Sequence, residues 1–302
     1  MSYFLSRNPR YTVIGALRGL VRLFYFASVF FWGALAALFI RTVLPISTYR
    51  RLRPEIVRRL GRILVCASNI RIRNEGTPPP PGALVVANHV SWADSFTFLS
   101  ELGCRFMVNH LYGQIVGFGV VLRSVGVKFV NRMSVRAIGH AQTAMRTILE
   151  SGESLMVFPE GRTSRGAGVR PFKSALLQVA VDLRRPVYWA TVRYETPASW
   201  PPASVVIGWE EWPPLLTHIY RAFHAPRITC RIHYGKAPIL AEDRRSLASA
   251  LYEAVSSAHR SMPQLPEATL RRIDVVHKVA RTIVYTPPAE RGRDQESSGD
   301  RS

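Results

Sequence analysis

The chain has 302 residues, 47% of them hydrophobic, enough for one large domain or two around a packed core. Its formal net charge of +20 comes from 36 Arg against 4 Lys, which suits anionic lipid or phosphate ligands; with no zinc finger, basic zipper or aromatic RNA-binding signature, nucleic acid is not expected as a partner. Cys66, Cys104 and Cys230 are odd in number and widely spaced, which suits a reducing compartment and offers no metal-ligand spacing.

The first feature in chain order is the run LFYFASVFFWGALAALFI at residues 23–40, without a single charge. Arg18 and Arg22 precede it and Arg41 follows it. Crossing a bilayer takes about 20 apolar residues, so the run is marginal in length. No small-residue cleavage site follows, which argues against a removed signal peptide. Arginines at both ends leave the orientation unassigned by the positive-inside rule. From Tyr49 to Ile70, Arg50, Arg51, Arg53, Arg58, Arg59 and Arg62 interleave with Ile56, Val57, Leu60, Ile63 and Leu64 at helical spacing. That pattern predicts a basic amphipathic helix lying on a membrane surface. Residues 1–73 are therefore expected to form a helical membrane module that spans once or dips into one leaflet.

The segment at 74–82, with four consecutive prolines, reads as a linker to a catalytic domain at 83–285. Beyond it, strands are predicted near 83–88, 126–131, 154–158, 186–194, 204–209 and 227–235. Helices are predicted near 92–101, 111–123, 134–150, 172–183, 214–223 and 243–260. The alternation implies an α/β fold with a mixed, mostly parallel sheet flanked by helices. The tail at 286–302 is polar, charged and poor in apolar residues, so it is expected to be disordered.

Chemistry concentrates in two places. His89 and Asp94 stand five apart, just past the apolar run Ala83-Leu84-Val85-Val86-Ala87. An open α/β sheet places its sites at such strand ends. Asp94 would accept the Nδ1–H of His89 and steady the imidazolium formed when Nε2 takes a proton. Ser91 is the expected N-cap, which puts Asp94 in the first helical turn. The second place is Phe158-Pro159-Glu160-Gly161-Arg162-Thr163-Ser164. No covalent nucleophile stands out: Ser164 and Ser174 lack a Gly-x-Ser-x-Gly elbow, and Cys104 has no base nearby in sequence.

Together, Asn88-His89 through Asp94, Gly126 through Arg132 and Phe158 through Ser164 resemble three ordered blocks of the glycerolipid acyltransferase superfamily, closest to the bacterial 1-acylglycerol-3-phosphate acyltransferases. Arg185-Pro186-Val187-Tyr188-Trp189-Ala190 resembles the fourth block, with one proline kept and Trp189 near the place of the second. The resemblance implies acyl transfer from a thioester donor, acyl-CoA or acyl carrier protein, to the hydroxyl of a lysophospholipid. Lysophosphatidic acid is the expected acceptor, with a lyso-ornithine lipid as the alternative. His89 and Asp94 would be catalytic. Arg132, Arg162 and Arg165 are the candidates for holding the acceptor phosphate. Glu160 would meet the glycerol hydroxyls or Arg132. The Gly161 amide, with Thr163 and Ser164 beside it in the turn, would face phosphate or oxyanion. Lys173 would add a cation at the start of the next helix. No metal or resident cofactor is implied. The expected location is the cell inner membrane, with the catalytic domain on its cytoplasmic face and membrane phospholipid as a partner.

Overall fold

The computed structural model describes residues 13–114, 119, 122–123, 127–130, 135–210, 215–266 and 269. Arg132, part of the expected helix at 111–123 and the expected tail at 286–302 lie outside them. Helix α1 (Val13–Val43) is followed by α2 (Ile46–Ala67), β1 (Ile70–Glu75) and β2 (Leu84–Ala87). Next come α3 (Ala93–Leu102), β3 (Arg105–Asn109), β4 (Lys128–Val130), α4 (Val135–Glu150) and β5 (Leu155–Val157). The chain then forms α5 (Gln178–Asp182), β6 (Val187–Glu195), α6 (Ala203–Val206), α7 (Leu215–His224), β7 (Ile228–Tyr234) and α8 (Arg244–Ala258).

The described strands build one sheet in the order β1-β7-β6-β2-β5-β3-β4. Every neighbouring pair is parallel except β6 with β7. Strand β2 runs through the middle, and all four of its residues are buried. Val85 and Ala87 point into the core shared with α2, α3 and α7, whereas Leu84 and Val86 point into the core shared with α4 and α8. Apolar residues on both faces are what a doubly covered parallel strand requires. Because β2 and β5 are adjacent and parallel, the chain leaves both at the same edge of the sheet. The two chemistry-bearing segments follow those strands, so the topology brings them together.

The α/β class with a mostly parallel sheet is as expected, and three local expectations differ. The 204–209 stretch, read as an apolar strand, begins instead in the short helix α6. Its entry is Pro202, whose carbonyl accepts from the Val205 and Val206 amides, so local capping and burial override β propensity. Strand β1 pairs with β7 along its whole length, so the sheet begins before the proline segment, inside the stretch assigned to the membrane module. Strand β3 had no counterpart in the sequence reading.

Helix α1 is apolar enough by length and composition to cross a membrane over Gly15–Val43. At about 1.5 Å per residue it is roughly 46 Å long, against a hydrocarbon core of about 30 Å. One stripe of it packs down: Phe26 joins an aromatic cluster with Trp92, Phe96 and Phe223. The Arg22 guanidinium donates to Phe223 O and Ala225 O, carbonyls at the end of α7, at 3.0 and 2.6 Å. The rest is bare, with Phe24 77%, Trp32 67% and Phe39 67% exposed.

Helix α2 is fastened more deeply. Arg53, 1% exposed, pairs with Glu153 just before β5, and Arg105 at the start of β3 donates to the same carboxylate from Nε at 2.9 Å. Burial opposes the Glu153 charge, yet the hydrogen bond from Arg105 and the nearby Arg53 charge hold its carboxyl below the usual range. At Gly61 the backbones of α2 and α3 meet so closely that a Cβ would lie 2.6 Å from the Ser100 amide nitrogen.

Candidate active site

His89 follows β2 directly, and its Nδ1 lies 2.8 Å from Asp94 Oδ2. Asp94 is fully buried in the first turn of α3, as its spacing predicted. An ionised carboxylate only accepts, so it fixes the neutral imidazole with its proton on Nδ1 and leaves the Nε2 lone pair unused. Asp94 Oδ2 also accepts from the Val90 and Ser91 amides at 2.7 and 2.9 Å. Those bonds close the loop that carries His89. Asp94 Oδ1 accepts from the Tyr194 hydroxyl at 2.7 Å. Helix α3 begins one residue later than expected, and Ser91 Oγ accepts from the Ala93 amide.

The second segment grips the first. The His89 amide donates to Glu160 Oε1 at 2.7 Å, and the Ser164 amide donates to the His89 carbonyl at 2.9 Å. Phe158 stacks on the imidazole, with ring centroids 4.0 Å apart and planes 5° from parallel. Phe98 and Phe106 back Phe158 from behind. The histidine is thereby fixed in main chain, ring plane and tautomer before any substrate arrives, which is the preorganisation acid–base chemistry needs. Asn88 locks the strand end: its side chain donates to Val192 O and accepts from the Val192 amide, mimicking one ladder rung onto β6.

Glu160 corrects the sequence reading. It is 3% exposed, and its oxygens accept from the His89 amide and the Arg170 amide rather than facing an acceptor. Burial pushes its carboxyl up to about 7, against the pull of those two amides. The Gly161 amide also differs from expectation, because it donates to the Phe158 carbonyl and closes the turn. Gly161 holds φ +79°, and a Cβ there would meet the Lys173 amine at 3.0 Å, so glycine serves both the turn and the approach of that amine. Lys173 precedes the helical turn at Ala175–Leu177 and reaches back to the turn at Gly161. Arg162 is exposed, Arg165 half-buried, and Thr163 and Ser164 buried. Arg132 lies outside the described residues.

Sequence reasoning missed Arg170, which donates to Thr163 O at 3.1 Å and pairs with Glu210, bracing the turn from outside. It also missed the chain at 261–264, whose Ser261, Met262 and Gln264 donate to the carbonyls of Ala167, Gly166 and Arg165. His218 is buried: Trp92 Nε1–H donates to its Nδ1 at 3.2 Å, and its Nε2 lies 3.2 Å from Gly208 O. Burial and the Arg221 charge push it down to about 3, so it stays neutral and holds the indole in place.

That indole lines a cavity of about 440 Å3. Phe30 of α1, Leu60 and Leu64 of α2, and Phe96 and Leu99 of α3 provide apolar walls. The polar lining is His89, Ser95, Arg162 and Thr163. An apolar cavity that meets His89 and a cationic turn has a lining suited to an acyl chain.

The sequence profile of the Acyltransferase family matches residues 69–194, which include His89, Asp94 and the whole Phe158–Ser164 turn. The chain is 31% identical to the 1-acyl-sn-glycerol-3-phosphate acyltransferase of Neisseria meningitidis over 67% of its own length and 80% of that protein's. It is 27% identical to the lyso-ornithine lipid O-acyltransferase of Rhodobacter capsulatus, over 69% and 77% of the two chains. The fold matches the crystal structure of the 1-acyl-sn-glycerophosphate (LPA) acyltransferase PlsC from Thermotoga maritima, with a TM-score of 0.58, 20% identity, and coverage of 83% of this chain and 100% of that one. The chain therefore belongs to the glycerolipid acyltransferase superfamily, and it is an acyltransferase enzyme of the 1-acylglycerol-3-phosphate acyltransferase type.

Proposed function

We propose that this enzyme moves a fatty acyl group from acyl-CoA or an acyl carrier protein to the free hydroxyl of lysophosphatidic acid, giving phosphatidic acid, with His89 as general base. The observation that carries the reading is the His89–Asp94 pair at 2.8 Å, set where an apolar cavity meets Arg162 and Thr163. His89 Nε2 takes the proton of the acceptor hydroxyl as its oxygen attacks the thioester carbonyl. Asp94 stabilises the imidazolium that forms. Collapse of the tetrahedral oxyanion breaks the carbon–sulfur bond, and the departing thiolate takes the proton from the imidazolium. The products are an ester and a free thiol, and no covalent enzyme intermediate or resident cofactor is required.

An anionic headgroup fits the cations around the turn. Arg162 stands exposed beside the cavity and the Lys173 amine lies against Gly161, with Arg165 next in line and Arg132 expected from its sequence block. A guanidinium holds phosphate through a planar pair of donors. In this reading the enzyme works at the cytoplasmic face of the cell inner membrane, which the bare α1 and the exposed Arg50, Arg51, Arg59 and Arg62 of α2 support as contacts for bilayer and anionic phospholipid. A second acceptor, a lyso-ornithine lipid, is favoured by relatives that act on one and align over as much of this chain as the phosphatidate-type relative does.

The test supplies purified full-length protein with labelled acyl-CoA or acyl carrier protein and a panel of lysolipids. Labelled phosphatidic acid is the expected main product. Product from lyso-ornithine lipid alone would reverse the two readings, and no acylation of any lysolipid would end both.

A further inference from the structure

The two oxygens of Asp94 serve different partners. Oδ2 faces His89 Nδ1 and the Val90 and Ser91 amides, so it orients the base and pins its loop. Oδ1 meets the hydroxyl of Tyr194 at 2.7 Å, from β6 and 100 residues along the chain. Both side chains are fully buried. Donation from a phenol stabilises the carboxylate anion and weakens the pull that anion exerts on the imidazolium proton. From this geometry we infer that Tyr194 is a positioning residue of the acyl-transfer reaction, which sets the proton affinity of His89 through Asp94. The inference rests on His89 being the base.

The titratable groups around the contact can be named element by element. His89 comes from the loop after β2, Asp94 from α3, and Cys230 from β7, where it is the register partner of Tyr194. Glu160 comes from the turn after β5 and senses the Asp94 charge. Burial and then the Asp94 charge raise both the Tyr194 hydroxyl and the Cys230 thiol, so each keeps its proton while His89 works. Thr97 of α3 and Cys230 also interact with the Tyr194 hydroxyl. Glu160 titrates in every protein compared below, and its contribution cancels between them. Any buried tyrosine hydroxyl needs a hydrogen-bond partner. Here the hydroxyl is placed on the one oxygen of Asp94 that the loop amides leave unused.

The test uses full-length protein and the dependence of kcat/KM on pH, with acyl-CoA and lysophosphatidic acid as substrates. Tyr194→Phe keeps the ring and removes the donor, so the acidic limb should move up by about half a pH unit. Turnover should fall roughly 10-fold, as when a group that orients a catalytic side chain through its partner is lost. Replacing Tyr194 by 3-fluorotyrosine, whose phenol is the stronger donor, should move the limb down. Opposite shifts separate donor strength from packing damage, which would act in one direction only. Three superimposable profiles, or two variants shifting the same way, would overturn the inference. A His89→Ala control keeps the two readings apart: substantial activity there ends the base assignment. An inactive control with unmoved limbs ends only the role of Tyr194.

Discussion

Replacing Glu160 by glutamine tests the scaffold beneath the base. Folding carries this carboxyl from an ordinary 4.5 to about 7, chiefly through burial, so the folded chain holds the proton more tightly than the unfolded chain does. Its contribution to stability is therefore complete below pH 4.5 and declines as pH rises toward 7 and beyond. A shift of that size corresponds to about 3 kcal/mol at most. Glutamine removes the ionisation but offers one acceptor oxygen where the His89 and Arg170 amides now use two. Leaving one buried amide facing an amide nitrogen costs about 1–3 kcal/mol. Glu160→Gln should accordingly be the less stable protein at pH 5 and draw level with or overtake wild type by pH 8. Thermal melts of both proteins in one detergent, taken across that range, measure the difference directly. A constant gap between the two melting temperatures from pH 5 to 8 would refute the reasoning, because Glu160 would then keep the same charge throughout.

Three further outcomes follow from the same structure. His89→Ala should lose acyl transfer by about 100-fold or more while folding normally, since its ring sits at the cavity and not in the core; near-normal activity in a folded variant excludes it as the base. Arg53→Ala leaves Glu153 buried with Arg105 alone and should cost about 3 kcal/mol, the lower end for breaking a buried pair; an unchanged melt would show that α2 is not held by this cluster. High salt should weaken the arginines of α2 on anionic vesicles without releasing the full-length protein, because α1 holds by apolar contact; complete extraction by salt alone would remove the bilayer placement of α1.

The fold was legible where local pattern and final environment agree. The buried run before His89 was fit for a buried strand and is one, and the 3.6-residue spacing of α2, α4 and α8 survives packing. Strand β1 was not legible because its sequence, Ile-Arg-Ile-Arg-Asn-Glu, continues the arginine-rich character of α2. What makes it a strand is pairing with β7, at Ile70 with Ile228 and onward, a contact across most of the chain that no local window contains. The 204–209 run failed the other way: the Pro202 carbonyl accepts from the Val205 and Val206 amides and starts a helical turn where the apolar run suggested a strand.

The site divides along the same line. The candidate site residues sit in short contiguous motifs, since a loop at a strand end can present several side chains at once, and those motifs carry His89, Asp94 and the turn with Arg162. Residues that hold these in place come from elsewhere in the chain: Tyr194 and Val192 from β6, Arg170 from beyond the turn, His218 from α7. Glu160 shows how the two classes are confused. Its charge and its place inside the motif suggested contact with substrate, but a carboxyl that is 3% exposed and bonded to the amide of His89 has its effect through that residue. A motif read from sequence therefore marks which residues travel together, while burial decides which of them can touch a ligand. By that criterion Arg162, exposed at the cavity, is the residue we propose for the headgroup, whereas Glu160, Ser164 and Asp94 are hydrogen-bonded around His89.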